Sequence, residues 1–232
     1  RYRSLKGWQA MLVSAIAVAM SVFHFYTAGF GLLDAAKQGA VHLSFTLVLV
    51  FLLYPVSSKS SKDRIPWYDV LFAIGAAYGC MYIVLNFEAL GARSGLPTTM
   101  DLAMGFMTMA LLLEATRRIS NPVLPTLAVL SLLYCYFGRS MPSILAHRGF
   151  SIPRIVNHMY LGTEGIFGVP LGVSSTFVFM FILFGSVLEK TGMGRFIIDL
   201  SMALAGWSTG GPAKVAVLSS GLMGTISGSS VA

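Results

Sequence analysis

The sequence predicts an all-α protein that crosses a membrane several times, and its composition is the first reason. Hydrophobic residues make up 56% and charged residues 11% of the 232 residues, and the mean hydropathy is +0.76. Soluble domains carry roughly 25% charged residues. The second reason is that the apolar residues form long runs separated by short basic clusters. The formal net charge of +7 therefore points to the membrane surface, and not to nucleic acid, as the partner of the basic residues.

Six stretches are long and apolar enough to be predicted as membrane spans, since about 20 apolar residues cross the hydrocarbon core as a helix. They are residues 8–26, 41–54, 67–86, 98–114, 123–137 and 167–188. Trp8, Tyr26, Tyr54, Trp67 and Tyr68 lie at the ends of these stretches, where aromatic rings prefer the membrane–water interface. The aromatic positions thus agree with the predicted span ends.

The distribution of basic residues predicts the orientation, because Lys and Arg collect in cytoplasmic loops. Of the 16 Lys and Arg residues, those on one predicted side are Arg1, Arg3, Lys6, Lys59, Lys62, Arg64, Arg117, Arg118, Lys190, Arg195 and Lys214. The amino end is therefore predicted to be cytoplasmic. On the other side, residues 142–161 mix apolar and basic residues, and Ser151 with Pro153 predicts a helix start. We expect this segment to lie in the membrane interface.

A boundary is predicted between two units near Arg117 and Arg118. The basic pair is followed by Ile-Ser-Asn-Pro, and an Asn-Pro break is typical of a connection between elements. Residues 1–118 are predicted to form a four-helix membrane unit, and residues 119–232 a second unit. The chain does not begin with Met and ends inside a motif, so we expect it to be an amino-terminal fragment of a longer protein.

The last predicted helix is too short to span the membrane. Residues 212–224 give roughly 20 Å of helix, and small and polar residues follow: Gly224, Thr225, Ser227, Gly228, Ser229 and Ser230. Irregular backbone at membrane depth is tolerated only where protein or a water-filled cavity covers it. Small residues are most often packing surfaces, as we expect at Gly75 and Gly79, but broken helices also form ion and substrate sites in transporters. The pattern alone leaves both interpretations open.

Three segments carry a resemblance to a known family. GGPAKVAVLSSGLMGTISGSSVA, residues 210–232, resembles the first re-entrant hairpin of the large membrane subunit of tripartite ATP-independent periplasmic (TRAP) transporters. HMYLGTEGIFGVPLGVSSTFVF and LFGSVLEKTGMGRFIIDL, residues 158–179 and 183–200, resemble the branch served by TAXI-type binding proteins, in which the small and large membrane subunits are fused. The resemblance implies a small-subunit-like unit over residues 1–118. Residues 119–232 would then begin an ion-transporter-superfamily large subunit and end at the tip of the first hairpin.

The resemblance also implies a function. It implies a multi-pass permease of the bacterial inner membrane that takes up a small organic acid, such as a dicarboxylate or an amino acid, by sodium symport with an elevator mechanism. A periplasmic TAXI-type protein would deliver the substrate, and Na⁺ would be the coupling ion without any other cofactor. Carried over by position, the hairpin tip that binds substrate and ion is Ser227, Gly228, Ser229 and Ser230, with sodium near the first three. Gly224 and Thr225 are weaker candidates.

Alternatives to sodium symport depend on ionisable residues. Asp69, Asp101 and Glu114 lie near predicted span ends and not at span centres, so this part of the chain has no obvious proton relay. That favours sodium, while a proton-coupled carrier or antiporter of the same superfamily remains the alternative. No phosphate-binding loop, nucleophile elbow or metalloprotease motif occurs, so an enzyme is not predicted.

The remaining candidate ligands are predicted to be packing residues. His24 and His42 lie near the ends of the first two spans, and neither has a second ligand at helical spacing. Cys80 and Cys135 lie inside apolar runs about fifty residues apart, and their spacing suits neither a metal site nor a disulfide framework.

Overall fold

A computed structural model describes residues 2–57, 60–93, 95–142 and 144–227, and these ranges contain helices, turns and irregular segments but no strand. This confirms the predicted all-α class. The chain divides into two compact units, Arg1–Gly172 and Val173–Ala232. The sequence predicted a different kind of division, into a small-subunit-like part (residues 1–118) and the start of a large subunit (residues 119–232). That division stays a prediction.

The first unit contains the helices α1 to α7. They are α1 Trp8–Phe30, α2 Ala35–Leu53, α3 Trp67–Leu85, α4 Phe87–Ala92, α5 Thr99–Ile119, α6 Val123–Phe137 and α7 Ile152–Val156. A 3₁₀ turn, Gly138–Ser140, extends α6, and a π-helical turn, Asn157–Leu161, extends α7. The short helix α8, Val169–Val173, lies at the boundary between the units.

The second unit contains α9 Phe179–Lys190, α10 Met193–Ala205 and α11 Gly211–Ser227, and a π-helical turn, Ser174–Val178, leads into α9. Ile197, Ser201 and Ala205 are the buried residues of α10. Because they are four residues apart, they form one face. The helix α10 therefore has one buried face.

Five helices in the described residues are long and apolar enough to cross a membrane: Trp8–Phe30, Ala35–Leu53, Trp67–Leu85, Val123–Ser140 and Val169–Lys190. They coincide with five of the six predicted spans. The predicted span at 98–114 is also helical, as the 21-residue α5, but it is not among the five. Its charged residues, Asp101, Glu114, Arg117 and Arg118, lower its hydrophobicity.

The core of the first unit lies around α2 and α3. Ala40, Phe51, Ala76 and Cys80 are completely buried. Gly79 faces α5 so closely that an added Cβ would collide with the hydroxyl of Thr108. The prediction that Gly79 serves close helix packing is confirmed, since any side chain there would displace the Thr108 hydroxyl.

The segment predicted to lie in the membrane interface is partly a core element. Its helix begins after Ser151 as predicted, with Pro153 in the first turn. Val156 and Tyr160 are buried, however, and the Tyr160 hydroxyl donates to the Gly79 carbonyl at 2.5 Å. One face of the segment therefore packs into the helix bundle, which sequence periodicity over so short a stretch does not reveal.

Candidate functional site

The first part of the segment predicted to form the hairpin is the helix α11, and the hairpin itself stays a prediction. The helix begins at Gly211 with Pro212 in its first turn, as predicted, because the missing N–H of Pro costs nothing there. The predicted end at Gly224 is wrong: α11 continues through Gly224 and Thr225 to Ser227, a length of 17 residues. A single Gly costs a helix only about 1 kcal/mol, and the Thr225 hydroxyl donates to the Leu222 carbonyl at 2.7 Å within the helix.

The predicted site residues are placed only in part. Gly224 and Thr225 are exposed on α11, and Ser227 is its last residue. Gly228, Ser229 and Ser230 lie outside the described residues. The sodium and substrate site at Ser227–Ser230 therefore stays a prediction.

A buried ionic cluster that the sequence did not predict joins the ends of several helices in the first unit. Its centre is the Asp69 carboxylate at the start of α3, which forms ion pairs with Arg3 and, at 2.7 Å, with Arg118. The side chains of all three residues are fully buried. Arg3 Nη1 also donates to the carbonyls of Phe51 and Leu52, at 3.0 and 2.9 Å. Because these carbonyls belong to the last turn of α2, Arg3 also caps that helix.

The cluster continues along the end of α5. Arg118 Nε donates to Glu114 Oε1 at 2.8 Å, and Arg118 Nη1 donates to the Tyr54 carbonyl at 3.1 Å. Arg117 binds both oxygens of Glu114 and reaches the Val56 carbonyl at 3.2 Å. The predicted boundary at Arg117 and Arg118 is thus a point of attachment between α5 and the end of α2.

A second buried carboxylate, Asp101, organises the opposite end of α5. Asp101 and Thr98 form a capping box, in which each side chain binds the other residue's backbone N–H. Tyr82 and Arg93 donate to Asp101 Oδ1 at 2.7 and 2.9 Å. The arrangement fixes the start of α5 against α3 and the segment after α4. Beside it lies a cavity of about 320 Å³ lined by Arg93, Asp101 and Asn157 among others.

His24 and His42 are buried as predicted, but they also bind each other. His42 Nδ1 and His24 Nε2 are 2.8 Å apart, and His24 Nδ1 lies 2.7 Å from the Met20 carbonyl. The pair joins α1 to α2. Sequence spacing did not reveal the pairing because the two residues lie on different helices. In the described part of the chain, no group of three or more His, Cys, Asp and Glu side chains is arranged to hold a metal.

Comparison with known proteins provides the family. Residues 106–232 match the family described as "Tripartite ATP-independent periplasmic transporter, DctM component". A 52-residue segment is 46% identical to the Haemophilus influenzae protein named "Putative TRAP transporter large permease protein", and it spans 22% of this chain and 12% of that protein. No solved structure matches the chain. Because the family match covers more than half of the 232 residues, this membrane protein belongs to the DctM component family of tripartite ATP-independent periplasmic transporters.

Proposed function

We propose that the chain is part of the permease of a binding-protein-dependent secondary transporter that takes up a small organic acid together with sodium. The observation that supports this most strongly is the family match over residues 106–232. The five apolar helices agree with a multi-pass permease. We place the protein in the bacterial inner membrane with its amino end in the cytoplasm, because most basic residues lie on that predicted side.

The finer assignment is a fused permease of the TAXI-type branch. The resemblance of residues 158–179 and 183–200 to that branch supports it, and the helices α1, α2, α3 and α5 provide four helices where a small subunit would lie. The partner is then a periplasmic TAXI-type protein that carries the substrate. Movement of the hairpin domain against these helices would give an elevator mechanism.

The sodium site is proposed at the end of α11. The carboxyl end of a helix carries partial negative charge, and its last carbonyls have no partner within the helix. Carbonyl and hydroxyl oxygens are the ligands that transporter half-helices offer to Na⁺. Ser227, Gly228, Ser229 and Ser230 would supply such oxygens, with Gly224 and Thr225 one turn earlier.

The test is uptake into liposomes that contain the intact permease and its binding protein. We expect uptake of candidate dicarboxylates and amino acids to require both the binding protein and an inward sodium gradient. Replacing Ser227 or Ser229 with Leu is expected to abolish uptake, because the bulky side chain removes an oxygen ligand and blocks the tip. Ser220→Leu is the matched control, since Ser220 is exposed on the same helix about two turns away.

Two results would contradict the proposal. Uptake driven by a proton gradient without sodium would favour the proton-coupled carrier or antiporter and remove the sodium site. Unchanged sodium-driven uptake in both serine variants would leave sodium symport standing but place the site elsewhere.

A further inference from the structure

We propose that the first unit binds an anionic phospholipid beside α6, with the headgroup phosphate in a cationic cavity and an acyl chain in an adjoining apolar cavity. The proposal does not depend on the transported substrate or on the coupling ion. It rests on two neighbouring cavities of opposite character.

The cationic cavity has a volume of about 370 Å³ and is lined by Arg148, Arg154 and His158, together with Phe150. Both guanidinium groups lie over the Phe150 ring, at 5.5 Å for Arg148 and 5.4 Å for Arg154 from the ring centroid. Contacts of this kind hold the two cations at one place. The cavity is therefore a site with two oriented guanidinium groups and an imidazole.

No carboxylate neutralises these cations within the described residues. Residues 119–163 contain no Asp or Glu at all. The ion pairs of the described residues involve other basic side chains: Arg3, Lys37, Arg93, Arg117 and Arg118. Arg139 Nε donates to the Arg148 carbonyl at 2.7 Å, so this contact supplies no anion either. Arg148, Arg154 and His158 are exposed, so the cavity is open to a ligand that supplies the negative charge.

The neighbouring cavity is apolar. It has a volume of about 230 Å³ between α5 and α6, with Leu112, Leu113, Ala128 and Leu132 in its wall. Ser131 also lines it, but its hydroxyl already donates to the Leu127 carbonyl at 2.9 Å. Since an apolar cavity of about 150 Å³ can hold benzene, this one has room for part of an acyl chain.

The two cavities adjoin, because Cys135 and Met159 line both of them. A ligand that fills both has an anionic group at one end and a hydrocarbon chain at the other. Guanidinium groups bind phosphate oxygens by charge-assisted hydrogen bonds, and basic pockets between membrane helices bind phospholipid headgroups. Residues 142–161 are predicted to lie in the membrane interface, which is the layer that contains the lipid headgroups. These observations favour a phospholipid over a soluble anion.

The experiment is a lipid titration of the purified intact permease, stripped of lipid in a non-ionic detergent and followed by native mass spectrometry. The probes are phosphatidylglycerol, phosphatidylcholine and inorganic phosphate. We expect the protein to bind phosphatidylglycerol at least about tenfold more tightly than phosphatidylcholine. Inorganic phosphate at the same concentration is expected not to displace it, because it cannot fill the apolar cavity.

Variants separate the two halves of the site. Arg148→Gln with Arg154→Gln is expected to abolish the preference for phosphatidylglycerol while weaker binding of both lipids remains. Ala128→Trp, which fills the apolar cavity, is expected to weaken the binding of both lipids while the preference for phosphatidylglycerol remains. Arg195→Gln is the matched control, because Arg195 is exposed on α10 in the second unit and loses the same charge.

Three outcomes would overturn the proposal. Equal binding of the two lipids by the wild-type protein would remove the charge-selective site. If the variant with both Arg148→Gln and Arg154→Gln prefers phosphatidylglycerol as strongly as Arg195→Gln does, the lipid binds elsewhere. Displacement of phosphatidylglycerol by inorganic phosphate at equal concentration would assign the cavity to a soluble anion. None of these measurements involves transport, so a failure here is distinguishable from a failure of the proposed function.

Discussion

Asp69 binds two arginines that come from distant parts of the chain, one before α1 and one at the end of α5. Burying three charged groups costs several kcal/mol for each ion, and only close pairing and further hydrogen bonds offset that cost. Here the backbone carbonyls at the end of α2 provide the further hydrogen bonds. The role of Asp69 is therefore to hold four chain segments together.

Replacing Asp69 with Asn is expected to lower the free energy of unfolding by about 3–5 kcal/mol, because the buried Arg3 loses its anion and the buried Arg118 keeps only Glu114. The measurement is unfolding in mixed micelles with increasing denaturing detergent. Asp34→Asn is the control: Asp34 is largely exposed and lies 3.6 Å from Lys37, so the expected loss is under about 1 kcal/mol. Equal losses in the two variants would show that the buried cluster contributes no more than a surface pair.

At the scale of the element, close packing between α3 and α5 depends on Gly79. Gly79→Ala adds a Cβ that collides with the Thr108 hydroxyl, and we expect a loss of about 1–3 kcal/mol in the free energy of unfolding. Helix propensity alone predicts the opposite sign, a gain of about 1 kcal/mol. Gly29→Ala is the control in the same unit, because a Cβ there meets no atom within 4 Å.

A second substitution tests the reason for the loss. Thr108→Ala removes the hydroxyl that an alanine at position 79 would meet, while the Thr108 Cβ is 3.5 Å from the added Cβ, an ordinary contact. The double variant is therefore expected to be more stable than the sum of the two single effects predicts. Strict additivity would show that the Gly79 effect does not come from this contact.

The sequence predicted the elements better than their ends and contacts. The apolar runs and the aromatic residues at their ends placed five spans, with ends that differ from the helix ends by up to six residues, because hydrophobicity over 20 residues is a strong local signal. The end of α11 was misplaced, because the Gly and Ser residues after 223 favour a break but do not require one. The pairing of Asp69 with Arg3 and Arg118 was missed, since it depends on which helices pack together. The burial of Tyr160 was missed for the same reason.

At the scale of the whole molecule, the sodium and substrate site could be predicted only through family resemblance. The stretch from Gly224 to Ser230 has no residue type that demands a ligand, and the small-residue pattern alone fits helix packing equally well. One feature of the sequence indicated the cationic cavity beside α6, namely an exception to the excess of Lys and Arg on the predicted cytoplasmic side. Arg148 and Arg154 lie on the predicted external side, where basic residues are otherwise rare. Their arrangement around Phe150 required the structure.

The topology of the molecule depends on α5, whose charged ends exclude it from the five most apolar helices. If α5 crosses the membrane, α3, α5 and α6 give three crossings between Lys62 and Ile144, which then lie on opposite sides. If α5 does not cross, two crossings leave both positions on the same side. Burial of Asp69 and Asp101 at the two ends of α5 favours the crossing, because each carboxylate is paired with arginine and need not contact lipid.

Single cysteines can measure this topology in whole cells with a membrane-impermeant maleimide. Cys135 is replaced with Ser, and the fully buried Cys80 is kept. In Lys62→Cys, labelling is expected only after the cells are permeabilised. Leu96→Cys and Ile144→Cys are expected to react in intact cells, since both side chains are largely exposed and lie on the predicted external side. The opposite result would have a clear meaning. If position 96 is labelled in intact cells and position 144 is not, then α5 does not cross the membrane. The external placement of the cationic cavity would then be wrong, although its affinity for an anionic headgroup would be unaffected, because both leaflets contain phosphate.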